Sequence, residues 1–131
     1  MKRILRNKDK GNFLERYYKS FCHALSGLWY ALKCEHNMII IFVAAIVVTI
    51  AGFYFELNAY EWLFCIMSIG MVSATEMINT SIEAVVDLET EKYHPLAKIA
   101  KDTASSATLI FSITAFIGAI IIFLPKILEI L

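Results

Sequence analysis

Three long segments of the chain are almost free of charged residues. Met38–Phe55 and Thr103–Pro125 contain none, and Trp62–Val86 contains two acids. Each segment is long enough to cross about 30 Å of hydrocarbon as an α-helix. In water, three such helices would expose large apolar patches. The pattern therefore predicts an all-α integral membrane protein with three transmembrane helices, at about 37–55, 59–87 and 95–124.

A fourth helix is predicted ahead of the first span, at about 12–34. Its apolar residues recur at spacings of three or four, which places them on one face. They are Phe13, Tyr17, Phe21, Leu25, Leu28 and Leu32. A basic amphipathic helix directly before a span is typical of a helix that lies in the membrane interface. We therefore expect a surface helix that joins the three spans in one domain, residues 1–131.

The composition agrees with a membrane protein and argues against other classes. Hydrophobic residues make up 59% of the 131 residues, compared with roughly 45–50% in a soluble domain. The formal net charge is zero, so we expect no nucleic-acid partner. Cys22, Cys34 and Cys65 are scattered and form no CxxC motif. They are therefore expected to be reduced thiols, not a disulfide framework or a zinc site.

Charge placement predicts the topology. Lys and Arg crowd the segment before the first span, and Lys92, Lys98 and Lys101 lie between the second and third spans. The loop at 56–61 contains neither residue type. The positive-inside rule then places the N-terminus and the second loop in the cytoplasm. Tyr54 and Tyr60 flank the first loop, as expected for an aromatic belt at the outer surface.

Polar residues form a stripe along the second span. At about 100° per residue, Glu76, Asn79, Glu83 and Asp87 fall on one face and extend roughly 16 Å along the helix. A carboxylate inside a span costs on the order of 2.5–3.5 kcal/mol, so intramembrane acids usually mark a functional site. Metal coordination, proton transfer and an ion path are the functional interpretations. The structural alternative is hydrogen bonding to a neighbouring helix, which would only hold the bundle together.

A complementary set of charges begins the third span. Lys98, Lys101 and Asp102 follow His94 and Pro95, and proline suits the first turn of a helix. The two lysines are either snorkelling interface residues or, beside a carboxylate stripe, a phosphate-binding pair. The sequence contains neither GxxxxGK[ST] nor GxGxxG. Any ATP site therefore differs from a P-loop and from a glycine-rich kinase loop.

These motifs resemble the signature of the prokaryotic diacylglycerol kinase family. The resemblance covers about residues 13–124 and is strongest in the stretch Glu76–Asp87, with His94–Lys98, Ala100–Asp102, and Ser26–Leu28 with Glu35 extending it. The loop with Pro95 is similar to the Gram-positive branch, which mainly phosphorylates undecaprenol. The resemblance implies a homotrimeric kinase of the bacterial cell (inner) membrane that uses ATP and Mg²⁺.

The resemblance also implies roles for individual residues. Glu76 is expected to act as the general base on the lipid hydroxyl, with Asn79 holding the reacting groups. Glu35 and Glu83 are expected to bind the metal. Lys101 would neutralise phosphate charge, and Asp102 would position Lys101 or the nucleotide. The remaining expected contacts are Arg16, His23, Tyr93 and His94 at the nucleotide and Ser105 at the lipid head group.

The leading functional hypothesis is therefore an undecaprenol kinase that supports the lipid carrier pool for cell-wall synthesis. A diacylglycerol kinase that makes phosphatidic acid is the alternative with the same chemistry. A small ion or proton transporter with Glu76 and Glu83 as a relay, or a membrane scaffold subunit, are the alternatives from other classes. The cluster of Lys98, Lys101 and Asp102 favours the kinase.

Overall fold

The described part of the chain is entirely helical apart from short connections. The computed structural model describes residues 12–90 and 92–130, so the basic residues between positions 2 and 10 lie outside the described residues. Within these ranges the chain forms four α-helices: α1 (Phe13–Cys34), α2 (His36–Tyr54), α3 (Ala59–Glu89) and α4 (Pro95–Leu128). The predicted all-α class is confirmed.

Helices α2, α3 and α4 have the length and apolar composition of membrane spans. The prediction of a multi-pass membrane protein with three spans is therefore confirmed. Helix α4 continues through Pro125 to Leu128, about one turn beyond the predicted end at 124. Helix α3 ends at Glu89, so its carboxyl-terminal turns carry the polar stripe toward the loop that leads into α4.

Helix α3 is the centre of the fold. It packs against α4 along much of its length and against α2 on another side, while α1 contacts α2 and α3. Within the described residues, the backbones of α2 and α4 do not approach each other closely enough to pack. Cavities therefore remain between these two helices, and the inner wall of these cavities is formed by α3.

The first turn of α3 is fixed by a capping box. The Asn58 side-chain oxygen accepts hydrogen bonds from the backbone N–H groups of Tyr60 and Glu61, and the Glu61 carboxylate accepts one from the Asn58 N–H. The same carboxylate lies 3.3 Å from the Lys126 ammonium. This end of α3 is therefore joined to the carboxyl-terminal turns of α4, which keeps the two longest helices in register.

The start of α4 is fixed by His94 and Pro95. The His94 Nδ1 accepts a hydrogen bond of 3.2 Å from the Leu96 N–H, and Pro95 occupies the first helical turn. Because proline has no N–H group, it leaves no unsatisfied donor at this position. These contacts set the direction in which α4 leaves the loop and therefore where Lys98 and Lys101 lie.

Two glycines allow aromatic rings to lie against helix backbones. A Cβ at Gly118 would overlap the Phe64 ring, and a Cβ at Gly52 would overlap the Trp62 ring. Gly118 therefore lets α3 and α4 approach closely in the half of the bundle away from the polar stripe. Such close approach at small residues is characteristic of helix packing in membranes.

Candidate functional site

Burial changes steadily along the polar stripe of α3. Glu76 is 2% exposed and Asn79 is 6% exposed, whereas Glu83 is half-buried and Asp87 is exposed. The inner end of the stripe therefore points toward the other helices of the chain. A carboxylate that would be costly against lipid tails is enclosed by protein instead.

Asn79 contacts one acid of the stripe and keeps one hydrogen-bonding atom free. Its Nδ2 donates a hydrogen bond of 3.0 Å to Oε1 of Glu83. Its Oδ1 is buried and has no hydrogen-bond partner among the residues that the structure describes. Since buried polar atoms in proteins are nearly always paired, this oxygen is available to a cation or a donor that enters the site. The same amide contacts the Glu83 carboxylate, so a second oxygen group is present in this part of the site.

A cavity of about 280 Å³ lies where Glu76 faces α2 and α4. Below, we call it the deep cavity. Its lining comes from three helices: Asn37, Ile40, Ile41, Glu76, Ser105, Thr108, Leu109 and Ser112. The structure therefore brings together Glu76 and Ser105, the two residues predicted to meet the lipid head group.

An apolar cavity of about 430 Å³ adjoins the deep cavity. The two cavities share Ile40, Ile41 and Ser112 in their linings. The apolar cavity then continues along the bundle to Phe64 and Phe123. Together they form a space with a carboxylate at one end and hydrocarbon along its length. This arrangement matches the chemistry of a lipid alcohol, which has one polar end and a long apolar chain.

A third cavity, of about 410 Å³, lies at the loop between α3 and α4. Below, we call it the surface cavity. Its lining consists of Val86, Asp87, Thr90, Lys92, Tyr93, His94, Ala97, Lys98, Lys101 and Asp102. Four residues predicted to contact the nucleotide therefore share one cavity: Tyr93, His94, Lys101 and Asp102.

Two ion pairs order the charges of the surface cavity. The Lys101 ammonium lies 2.5 Å from Oδ1 of Asp87, and Lys98 pairs with Asp102 one turn away on the same helix. The acid that holds Lys101 in this structure is therefore Asp87, and Asp102 contacts the other lysine. Because both pairs are substantially exposed, each contributes little stability. Both lysines remain accessible to a phosphate group.

The structure does not bring every predicted site residue into these cavities. Arg16 and His23 are exposed on α1 and line neither the deep nor the surface cavity. Glu35 is half-buried at the junction of α1 and α2, and its side chain makes no capping hydrogen bond. Among the described residues, no three His, Cys, Asp or Glu side chains form a metal-binding group.

Sequence reasoning missed Asn37 and Thr108 in the deep cavity and the pairing of Asp87 with Lys101. Periodicity would have indicated Thr108, because positions 101, 105, 108 and 112 share one face of a helix. No signal in the sequence indicates Asn37 or the partner of Lys101. Both depend on how α2 and α4 pack against α3.

Comparison with known proteins identifies the family. A model of the prokaryotic diacylglycerol kinase family matches residues 22–123. The chain belongs to this family. The chain is similar to the undecaprenol kinase of Bacillus subtilis (strain 168). The two sequences are 44% identical over 92% of this chain and 98% of the relative.

Diacylglycerol kinases are also similar to the chain. That of Synechocystis sp. is 34% identical over 86% of this chain and 65% of the relative. That of Helicobacter pylori (strain J99) is 36% identical over 79% of each chain. As a member of the prokaryotic diacylglycerol kinase family, the protein is a lipid kinase, which argues against the transporter and scaffold hypotheses. A lipid kinase requires one site for a lipid alcohol and one for a phosphoryl donor. The deep cavity adjoins an apolar space, as a lipid alcohol requires, and the surface cavity is lined by three lysines, as a phosphoryl donor requires.

Proposed function

We propose that this lipid kinase is an undecaprenol kinase, which transfers the γ-phosphoryl group of ATP to the hydroxyl of undecaprenol and forms undecaprenyl phosphate. The product would supply the lipid carrier pool for cell-wall synthesis. The proposal is supported by 44% identity to the undecaprenol kinase of Bacillus subtilis over 98% of that protein. The two diacylglycerol kinases above are 34% and 36% identical over smaller shares of their lengths.

The observation that carries this proposal is the burial of Glu76 at the polar end of a long apolar space. Glu76 is 2% exposed and lines the deep cavity, which shares three residues with the apolar cavity. A polyprenol has a single hydroxyl and an extended hydrocarbon chain. We assign the hydroxyl to the deep cavity and the part of the hydrocarbon chain nearest the hydroxyl to the apolar cavity.

The chemical step needs a base, charge neutralisation and alignment, because phosphoryl transfer depends mainly on positioning and electrostatics. Glu76 accepts the proton of the lipid hydroxyl while the hydroxyl oxygen attacks the γ-phosphorus. The bond between that phosphorus and the β–γ bridging oxygen breaks, and ADP leaves with the bond electrons. Ser105 shares the deep cavity and binds the lipid head group. Asn79, one turn from Glu76, holds the reacting groups.

We assign ATP to the surface cavity. Lys101 and Lys98 supply the positive charge that phosphates require, and Tyr93, His94 and Asp102 line the same space. Lys101 exchanges its contact with Asp87 for the phosphates, while Asp102 positions the lysines or the nucleotide. Arg16 and His23 contact the nucleotide from α1 in this proposal, an assignment that rests on the family resemblance.

Glu35 and Glu83 are the proposed ligands of Mg²⁺. Mg²⁺ prefers oxygen ligands and usually takes one or two carboxylates together with substrate phosphates. The unpaired Oδ1 of Asn79 beside Glu83 supports this assignment, because it adds a buried oxygen to the same region. When bound, the ion neutralises charge on the phosphates.

The proposed arrangement in the membrane follows the charge distribution and the family resemblance. The chain forms one membrane kinase domain in the bacterial inner membrane, with its N-terminus cytoplasmic and α1 lying in the interface as an amphipathic helix. The loop between α3 and α4, which carries the surface cavity, then faces cytoplasmic ATP. We further propose a homotrimer as the active state.

A direct assay compares two lipids. Purified protein in detergent micelles receives MgATP with either undecaprenol or diacylglycerol, and phosphorylated lipid is quantified. We expect kcat/KM for undecaprenol to exceed that for diacylglycerol by at least about tenfold, equivalent to roughly 1.4 kcal/mol. A preference for diacylglycerol would instead assign the protein to the other branch of the family.

A further inference from the structure

Thr108 has a buried hydroxyl oxygen without a hydrogen-bond partner in the described ranges, 12–90 and 92–130. Threonines inside helices commonly donate to the carbonyl four residues earlier. Thr49, Thr80 and Thr114 do so in this protein, at 2.7, 3.0 and 2.9 Å. Thr108 therefore differs from these three threonines. A buried polar group that lacks a partner is destabilising, and a hydrogen-bonding group that enters beside it would remove this cost.

The position of Thr108 indicates which ligand this is. It lines the deep cavity together with Glu76 and Ser105, and it lies one turn beyond Ser105 on the same face of α4. Glu76 approaches the cavity from α3. A small polar group that enters this space therefore meets a carboxylate on one side and hydroxyl groups on the other.

We propose that Thr108 binds the acceptor alcohol directly and orients it toward the phosphoryl donor. The Thr108 hydroxyl donates a hydrogen bond to the alcohol oxygen, whose own proton is directed to Glu76. The alcohol oxygen keeps its second lone pair for attack on phosphorus. Two contacts from two helices fix the direction of that lone pair, which one carboxylate alone does not. This inference rests on the proposed lipid kinase function of the deep cavity.

The test removes the hydroxyl while keeping the shape of the side chain. Thr108→Val is expected to raise KM for the lipid roughly five- to tenfold, the usual effect of losing one neutral hydrogen bond. KM for MgATP should stay unchanged, and Thr108→Ser should restore the lipid KM. A structural role alone would not produce this division between the two substrates. Thr108→Ala serves as a second variant that also lacks the hydroxyl.

The matched control is Thr114→Val on the same helix. The Thr114 hydroxyl donates to the Ile110 carbonyl at 2.9 Å, and the residue lines neither the deep nor the apolar cavity. This variant should keep the wild-type lipid KM. A binding measurement without ATP complements the kinetics: geranylgeraniol, a shorter prenol, should raise the melting temperature of the wild type more than that of Thr108→Val.

The outcomes separate this inference from the proposed function. Wild-type preference for diacylglycerol would overturn the undecaprenol assignment. The KM values of the Thr108 variants would then be measured with diacylglycerol as the acceptor. Both variants are assayed with the lipid that the wild type prefers. An unchanged KM for this lipid in both Thr108→Val and Thr108→Ala would overturn the role of Thr108. So would an equal melting-temperature increase with geranylgeraniol in the wild type and Thr108→Val.

Discussion

Glu76 and Glu83 lie about two turns apart on α3, yet their surroundings differ. Glu76 is 2% exposed and faces the deep cavity. Glu83 is half-buried, and one of its oxygens accepts a hydrogen bond from Asn79. A carboxylate enclosed beside the deep cavity suits the proposed proton transfer, whereas one nearer the loop between α3 and α4 suits the proposed binding of a cation that arrives with ATP. The same residue type therefore supports two different roles.

This difference predicts two distinct kinetic effects. Glu76→Gln should lower kcat by at least about 10²-fold, the usual contribution of a general base, with little change in nucleotide affinity. Glu83→Gln should instead raise KM for MgATP by at least about tenfold, as expected when metal binding is impaired. Lipid phosphorylation at varied MgATP measures both parameters, and calorimetric titration of a non-hydrolysable ATP analogue measures nucleotide affinity.

Glu89→Gln is the control for both variants, because Glu89 is an exposed acid at the end of the same helix. It should leave kcat and both KM values unchanged. Wild-type activity of Glu76→Gln at saturating MgATP would contradict its role as a base. An unchanged KM for MgATP in Glu83→Gln would contradict the metal assignment.

Residue positions were predictable from the sequence only as far as helical periodicity reaches. The period of 3.6 placed Glu76 and Asn79 on one face, and the structure buries both. The partner of Lys101 was not predictable, because Asp87 and Asp102 are both within one or two turns of the loop and the packing of α3 on α4 decides between them. Arg16 and His23 rest on the family resemblance alone, since α1 lies apart from the cavities.

At the level of helices, Glu61 connects two elements. It completes the capping box of α3 and lies 3.3 Å from Lys126 near the end of α4, with both side chains less than a third exposed. Hydropathy predicted the three spans because the length of each apolar segment can be read directly from the sequence. It did not predict this contact, because the pairing of the first turn of α3 with the end of α4 arises only when the helices pack.

Removing these contacts one at a time should lower stability in steps. Glu61→Gln keeps a side chain that can complete a capping box but loses the ion pair, which should cost up to about 1 kcal/mol. Glu61→Ala loses both contacts and should cost about 1 kcal/mol more. Thermal unfolding in detergent micelles should therefore rank wild type, Glu61→Gln and Glu61→Ala in descending order. Glu56 is an exposed acid in the loop before α3, and Glu56→Ala should match the wild type. A melting temperature for Glu61→Ala equal to that of Glu56→Ala would contradict this account.

At the level of the whole molecule, the proposed trimer predicts what a large residue at Gly70 should do. Gly70 and Ala74 are exposed one turn apart on α3, and a Cβ at Gly70 would meet no atom of the described residues within 4 Å. Packing within the chain therefore does not require glycine there, whereas close contact with a second copy would.

Gly70→Leu should improve helix propensity yet reduce the trimeric fraction, as measured by sedimentation in detergent micelles. Gly27→Leu on α1, where a Cβ also meets nothing, should leave that fraction unchanged. A fully trimeric Gly70→Leu protein would move the proposed interface away from this face of α3, since leucine cannot occupy the space that two closely packed helices leave for glycine.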